Sequence, residues 1–265
     1  MHYAISLGSR LMLTGGRDTG LAGRCVIVTG AARGQGAAHA RALAAEGAQV
    51  VLTDLLDDLG AQVAKEIGAS ARYVHLDVSS ESGWADAVET AISAFGPVRV
   101  LVNNAAVLIR GSLESARLQD WDLTFSVNVR GAFLGMRAVL DSMRGAGGGS
   151  IVNISSNAGM LGTKNALAYV TSKWAIRGMT KAAAAELGQY GIRVNSIHPG
   201  AVATPLLTGG GLTEAAFVER GKDRLAIPRF AEPEEISPAV VYFASNLSGY
   251  ATGSELLVDG GWTTG

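Results

Sequence analysis

Seven short runs rich in β-branched residues punctuate this 265-residue chain, and a longer amphipathic stretch can be placed in each of the six gaps between them. The runs are "CVIVT" (25–29), "AQVVLT" (48–53), "ARYVHL" (71–76), "VRVLV" (98–102), "SIVNI" (150–154), "RVNSI" (193–197) and "ELLV" (255–258). The periodicity predicts helices over about 35–46, 57–67, 81–95, 117–143, 165–189 and 233–245. Strands alternating with helices are the pattern of βαβ units, because parallel strands need a crossover rather than a hairpin. The runs are nearly continuous in apolar residues, so both faces of the sheet must be covered. The expected fold class is α/β: one domain built on a doubly wound parallel sheet in three α/β/α layers.

Composition narrows the function classes. At 265 residues and 48% hydrophobic content, the chain can bury a substantial core without needing a second domain. Lys and Arg number 22 against 23 Asp and Glu, a net charge of −1, so no overall field draws the protein to nucleic acid or to an acidic membrane. The single cysteine, Cys25, cannot form an internal disulfide and fits a reducing, cytoplasmic setting. No cluster of plausible ligands calls for a metal. Residues 1–20 contain Arg10 amid their apolar residues and glycines at 15, 16 and 20; they read as a flexible extension rather than a signal, and no run reaches the ~18 apolar residues of a membrane span.

The first strand runs into "TGAARGQG" (29–36) and then into a helix. Gly30, Gly34 and Gly36 allow a tight turn, close backbone approach to a pyrophosphate and close helix packing, while the helix N-terminus offers free N–H groups to the anion. The spacing predicts a Rossmann-type dinucleotide turn, with Arg33 and Gln35 inside it. Asp54 ends the second strand eighteen residues after Gly36, where a carboxylate can accept from ribose hydroxyls and repel a 2′-phosphate. NAD is therefore the expected cofactor, although Asp54 can also cap its own turn and Arg33 could pair with a 2′-phosphate. Asp77 and Val78 follow the third strand and "NNAA" (103–106), with Asn104 and Ala105, follows the fourth. All fall beyond the carboxyl ends of strands, where a cofactor lies in open α/β sheets; Asp77 reads equally as turn chemistry.

The stretch "ALAYVTSKWAIRGM" (166–179) carries Tyr169 and Lys173 four residues apart on one helical face. Taken alone, the pair could be a packed ring with a lysine stem along it. Beside a cofactor, the ammonium would lower the phenol's pKa from about 10 and make Tyr169 an acid or base near neutrality.

"TGAARGQG", "NNAA", "NISSNAG", "YVTSK" and "HPG" occur in an order and spacing that resembles the short-chain dehydrogenase/reductase family over about 21–265, with a particular likeness to the bacterial NAD-dependent 3α/20β-hydroxysteroid dehydrogenases in "YVTSKWAIRGM", "RVNSIHPG" and "LLVDGGWTTG". The resemblance implies a catalytic tetrad. Ser156, thirteen residues before Tyr169, would hold the substrate oxygen; Tyr169 would be the acid/base; Lys173 would bias Tyr169 and bond the nicotinamide ribose; Asn128 would order Lys173 through a water. It also implies nicotinamide contacts from Pro199, Gly200, Val202 and Thr204, and a homotetramer packed through the helices carrying Asn128 and Tyr169. His198 has no acidic partner in sequence and is expected to be structural. Ala106 stands where the family commonly has glycine.

Val107–Ile109, Asn157–Leu161 and a segment at about 203–230 with Leu206, Leu207, Leu212 and Phe217 should wall the pocket over the nicotinamide. That segment is long and lacks a strand pattern, as lids and plain surface loops both do. Few of these residues are polar, so the expected substrate is a bulky apolar secondary alcohol or ketone, such as a hydroxysteroid or another alicyclic alcohol. The alternatives are a 3-ketoacyl-carrier-protein reductase, which would prefer NADP, and a non-catalytic dinucleotide sensor, which need not keep the tetrad.

Overall fold

The structure is a computed structural model that describes residues 18–209, 211–221 and 225–264. Most of the expected N-terminal extension, residues 1–17, lies outside the described residues, as do 210 and 222–224 of the expected lid. Thr19 is already buried and its carbonyl accepts from the Asn246 N–H at 2.9 Å, so the packed chain begins before residue 20.

Seven parallel strands form one sheet: β1 (Cys25–Thr29), β2 (Gln49–Asp54), β3 (Ala71–His75), β4 (Val98–Asn103), β5 (Gly149–Ile154), β6 (Ile192–Pro199) and β7 (Glu255–Val258). Their order is β3-β2-β1-β4-β5-β6-β7. The chain starts at β1, winds outward to β3 and returns to β4 on the other side, so a crevice opens beyond the carboxyl ends of the paired β1 and β4, where the connections leaving them part to opposite sides. The long crossover helices are α1 (Gly34–Ala45), α2 (Asp57–Ile67), α3 (Glu81–Phe95), α4 (Leu118–Phe125), α5 (Gly131–Gly145) and α6 (Leu167–Leu187). Beyond β6 come the short α7 (Pro205–Thr208) and α8 (Glu214–Gly221), then α9 (Pro233–Ala244).

Alternation along the strands builds two cores. Val26, Val28, Val50, Leu52, Val100 and Val102 face Leu43 of α1 and Ile236, Val240 and Phe243 of α9. Their sequence neighbours Ile27, Val51 and Leu101 face Trp84 of α3 and Leu134, Val139 and Met143 of α5. A strand with both neighbours of each pair buried cannot be solvated on either side, which is why the runs read as continuous apolar sequence. Cys25 belongs to the second core; burial pushes its thiol up to about 12, so it is an inert packing group.

One element departs from the periodicity. The helix expected over 117–143 is interrupted by a π turn at Ser126–Arg130, between α4 and α5. Asn128 sits at the middle of this wider turn, buried. The segment after β6, without strand pattern in sequence, holds α7 and α8. Phe217 of α8 stacks on Trp262 with ring centroids 5.1 Å apart and packs at the same distance against Phe230.

Candidate active site

The turn after β1 is shaped by what its glycines leave empty. Gly30 has φ +63°, and a Cβ there would stand 2.9 Å from the Ala105 Cα. A Cβ on Gly36 would run into the Gly30 carbonyl oxygen, so no side chain can occupy that position. Thr29 closes the crevice from the side: its hydroxyl accepts the N–H groups of Asn104 and Ala105, both at 3.0 Å, while Asn104 Nδ2 donates to the Thr29 and Gly30 carbonyls at 2.8 and 3.1 Å. The "NNAA" turn is thereby tied to the glycine turn.

Between them lies a cavity of about 350 Å³. Its walls include Gly30, Arg33, Gly34, Gln35, Gly36, Asp54, Asp77, Val78, Asn104, Ala105, Tyr169, Lys173 and Thr204, so the structure brings together all the expected cofactor residues except Pro199, Gly200 and Val202. Those three line an adjoining cavity of equal volume, which shares Gln35, Ser155, Tyr169, Thr204 and Leu206 with the first. A glycine-lined cradle at a helix N-terminus, with a carboxylate at the end of β2, fits a dinucleotide. Asp54 is held by backbone donors: Oδ2 accepts from Ala32 N–H at 3.0 Å and Oδ1 from Leu55 and Leu56 N–H at 2.8 and 3.1 Å. Asp77 accepts from the Ser79 N–H and hydroxyl, so it serves as turn chemistry while also facing the cavity.

Tyr169 and Ser156 meet where the two cavities join. Burial raises the phenol above the ordinary tyrosine range, and its hydrogen bond with Ser156 pulls it down. Ser156 is thus a group that favours the phenolate of Tyr169. Ser156 Oγ also accepts from the Ala158 N–H at 3.1 Å and donates to Asn157 Oδ1 at 3.2 Å, fixing it at the end of β5. The Lys173 ammonium lies 5.5 Å from the centre of the Tyr169 ring and donates to the Ile154 carbonyl at 2.9 Å. Burial brings its pKa down to about 8.

Asn128 does not touch Lys173 with its side chain. Oδ1 accepts from Val107 N–H at 2.8 Å, and Nδ2 donates to the Val107 carbonyl and to Ser172 Oγ, each at 3.0 Å. The π turn thus pins the strand-4 loop to α6. A cavity of about 10 Å³ lined by Asn128, Ile154 and Lys173 remains between them, room for one water. His198 is fully buried, with Nδ1 paired to the Ser156 carbonyl at 3.1 Å and Nε2 to Ser196 Oγ at 2.9 Å; burial lowers its pKa, and it supports the serine turn rather than facing a cavity.

The second cavity is walled by Leu108, Ala158, Leu206, Leu207, Leu212 and Phe217, together with Arg110, Thr163, Ala166 and Trp262. Val107 faces the cofactor cavity instead, and Ile109 and Gly159–Leu161 are absent from both walls. Trp262 arrives from the C-terminus through its stack with Phe217. Nothing local in "GGWTTG" marks it, and Arg110 is likewise one residue beyond the apolar run that draws attention.

A phenol held beside a dinucleotide cradle and opening onto a largely apolar pocket is the arrangement of a hydride-transferring oxidoreductase. A family model described as Enoyl-(Acyl carrier protein) reductase matches residues 30–263, and the chain belongs to the short-chain dehydrogenase/reductase family. It is 49% identical over 245 residues to the 3-alpha-(or 20-beta)-hydroxysteroid dehydrogenase of Mycobacterium bovis, covering 92% of this chain and 91% of that one. It is 44% identical over 254 residues to the trans-4-hydroxycyclohexanecarboxylate dehydrogenase of Sinomonas cyclohexanicum, covering 92% and 95%. Among solved structures, a candidate gluconate dehydrogenase of Agrobacterium tumefaciens matches with a TM-score of 0.87 and 33% identity over 91% of this chain and 96% of that one. The protein is an oxidoreductase acting on CH–OH groups, in a family whose dehydrogenases use nicotinamide cofactors.

Proposed function

We propose that the protein is an NAD-dependent dehydrogenase of secondary alcohols, acting on a bulky, largely apolar cyclic substrate or its ketone. The observation that carries this is the second cavity, which begins at Tyr169 and Ser156 and is lined chiefly by leucines, alanines, Phe217 and Trp262. The curated relatives, named for a hydroxysteroid and a cyclohexane carboxylate, support a ring-shaped substrate. Asp54 at the ribose end of the cradle supports NAD over NADP, since a 2′-phosphate there would meet a carboxylate.

When bound, the nicotinamide accepts or supplies the hydride. Ser156 Oγ holds the substrate oxygen. In oxidation Tyr169, as phenolate, takes the hydroxyl proton, and in reduction it returns it. Lys173 keeps a positive charge near that phenolate and bonds the nicotinamide ribose, and Asn128 supports it through the small cavity between them. Gly30, Arg33, Gly34, Gln35 and Gly36 bind the pyrophosphate, Asp54, Asp77, Val78, Asn104 and Ala105 the adenosine side, and Pro199, Gly200, Val202 and Thr204 the nicotinamide. The segment 203–230 acts as a lid over the substrate through Leu206, Leu207, Leu212 and Phe217. The working form is a cytoplasmic homotetramer.

The test is absorbance of reduced nicotinamide while the purified enzyme is offered NAD or NADP with steroid, alicyclic and short aliphatic alcohols. Turnover on cyclic alcohols with NAD preferred supports the reading. Preference for NADP overturns the cofactor assignment, and turnover confined to short aliphatic alcohols overturns the substrate class.

A further inference from the structure

The substrate cavity is asymmetric in charge. Among the described residues lining it, Arg110 is the one charged side chain and no carboxylate is present. Arg110 has no carboxylate or hydrogen-bond partner among the described residues. It is exposed, so it stands where the cavity meets solvent, whereas Tyr169 and Ser156 form the inner end.

The position of this arginine is fixed by the backbone. Gly111, its neighbour, pairs with Ala166 in a short parallel bridge: Gly111 N–H donates to the Asn165 carbonyl at 3.0 Å, and Leu167 N–H donates to the Gly111 carbonyl at 3.2 Å. Asn165 adopts the left-handed region, φ +58°, to make that bridge, an uncommon conformation for a residue other than glycine. Leu167 is the first residue of α6, three residues before Val170 and two before Tyr169. The loop bearing Arg110 is thus strapped to the start of the helix bearing the acid/base.

We propose that Arg110 is a specificity residue for an anionic group, a carboxylate, on the end of the substrate remote from the reacting carbinol. The inference rests on the dehydrogenase reading above and deepens it: the substrate is an amphipathic hydroxy acid with an apolar ring body between its two polar ends. An apolar ring body fills the cavity and leaves a charged tail at the mouth, where Arg110 is the charge it meets, and a guanidinium is suited to a carboxylate because its planar fork donates two parallel hydrogen bonds. A wholly neutral substrate would leave Arg110 without a role in the site.

Two probes of one ring size separate the possibilities: 4-hydroxycyclohexanecarboxylate and its uncharged carboxamide, assayed with NAD on the full-length enzyme. The expected result is a preference in kcat/KM for the carboxylate in the parent enzyme, with Arg110→Gln reducing the carboxylate-to-carboxamide ratio about ten-fold, chiefly through KM, since a partly solvated charge-assisted bond is lost. Arg110→Lys should restore part of the ratio, and added salt should erode the parent's preference. A ratio unchanged in Arg110→Gln, or a parent enzyme that favours the carboxamide, overturns the proposal. Turnover of neither probe overturns it as well: if steroid or other alicyclic alcohols are still turned over the cyclic-substrate reading stands, and if only short aliphatic alcohols are it falls too; good turnover of the carboxamide alone leaves that reading standing while the anionic one fails.

Discussion

At the scale of single residues, the chemistry hangs on a phenol whose proton affinity is set by opposed effects. Burial raises Tyr169 and Ser156 lowers it. Oxidation needs the phenolate, so its rate at saturating substrate should climb as pH rises into the alkaline range while ketone reduction falls. Tyr169→Phe should cut turnover by about 10²–10⁴-fold, the range for loss of a general acid/base, while leaving the protein's quenching response to NADH intact. Near-parent turnover in that variant would falsify the assignment. Lys173 makes a second, thermodynamic prediction. Its pKa falls from 10.5 to about 8 on folding, so between those values the unfolded chain binds the extra proton. Stability should therefore rise with pH across this window relative to Lys173→Met, by up to about 3 kcal/mol, and below pH ~8 the buried ammonium weighs fully against the fold. Urea titrations of both proteins at several pH values measure the difference; a flat difference would remove the buried-charge account. Gly30, Gly36, Tyr169 and Lys173 could be singled out by spacing because turn geometry and the 3.6-residue period are local. The partners of Asn128 could not, since Val107 and Ser172 reach it only after folding.

At the scale of elements, α6 carries more than its catalytic face. Arg177 donates from Nε and Nη2 to both carboxylate oxygens of Glu255 on β7, each at 3.0 Å, and from Nη1 to the Gly159 carbonyl at 2.9 Å, just after Ser156. Lys181 lies 3.2 Å from the same carboxylate. This cluster joins three elements around the serine turn, and Arg177, then Lys181, hold the Glu255 carboxyl below the ordinary glutamate range. A carboxylate depressed in the folded state stabilises above its unfolded pKa and loses that contribution as pH falls through the lowered value. Glu255→Gln should accordingly cost about 1–2 kcal/mol at pH 7 in chemical denaturation, and the gap to the parent should close on acidification below about pH 4. A gap independent of pH would point to packing instead. The strands and long helices were readable in sequence because their burial follows periods of 2 and 3.6 residues. The π turn at Ser126–Arg130 was not, because no proline or glycine interrupts the apolar pattern until Gly131.

At the scale of the whole molecule, large apolar side chains remain uncovered on the outward faces of α5 and α6: Phe133 and Trp174 are each 47% exposed. Patches of this kind mark association surfaces, and they lie on the two helices implicated in the proposed tetramer. Sedimentation of the parent should give about four times the 27.2 kDa chain mass, with Trp174→Glu shifting the distribution to smaller species. A monomeric parent would end the tetramer proposal. Among the described residues, no helix is long and apolar enough to cross a membrane, and no group of three or more His, Cys, Asp or Glu could hold a metal.

The amino-acid order alone settles the alternation of strand and helix, the glycine turn and the Tyr169–Lys173 pair, because each depends on contacts within one element or one turn; the doubly wound sheet follows from that alternation, since parallel strands need crossover helices. What joins them is a matter of long-range packing. Trp262 reaches the pocket by stacking on Phe217, the bridge of Gly111 to Ala166 carries Arg110 to its mouth, and Ser156 meets the phenol once β5 and α6 are side by side. Such contacts link residues from 13 to 55 positions apart, and no periodicity encodes them; their energies exist only when the sheet brings its carboxyl ends together.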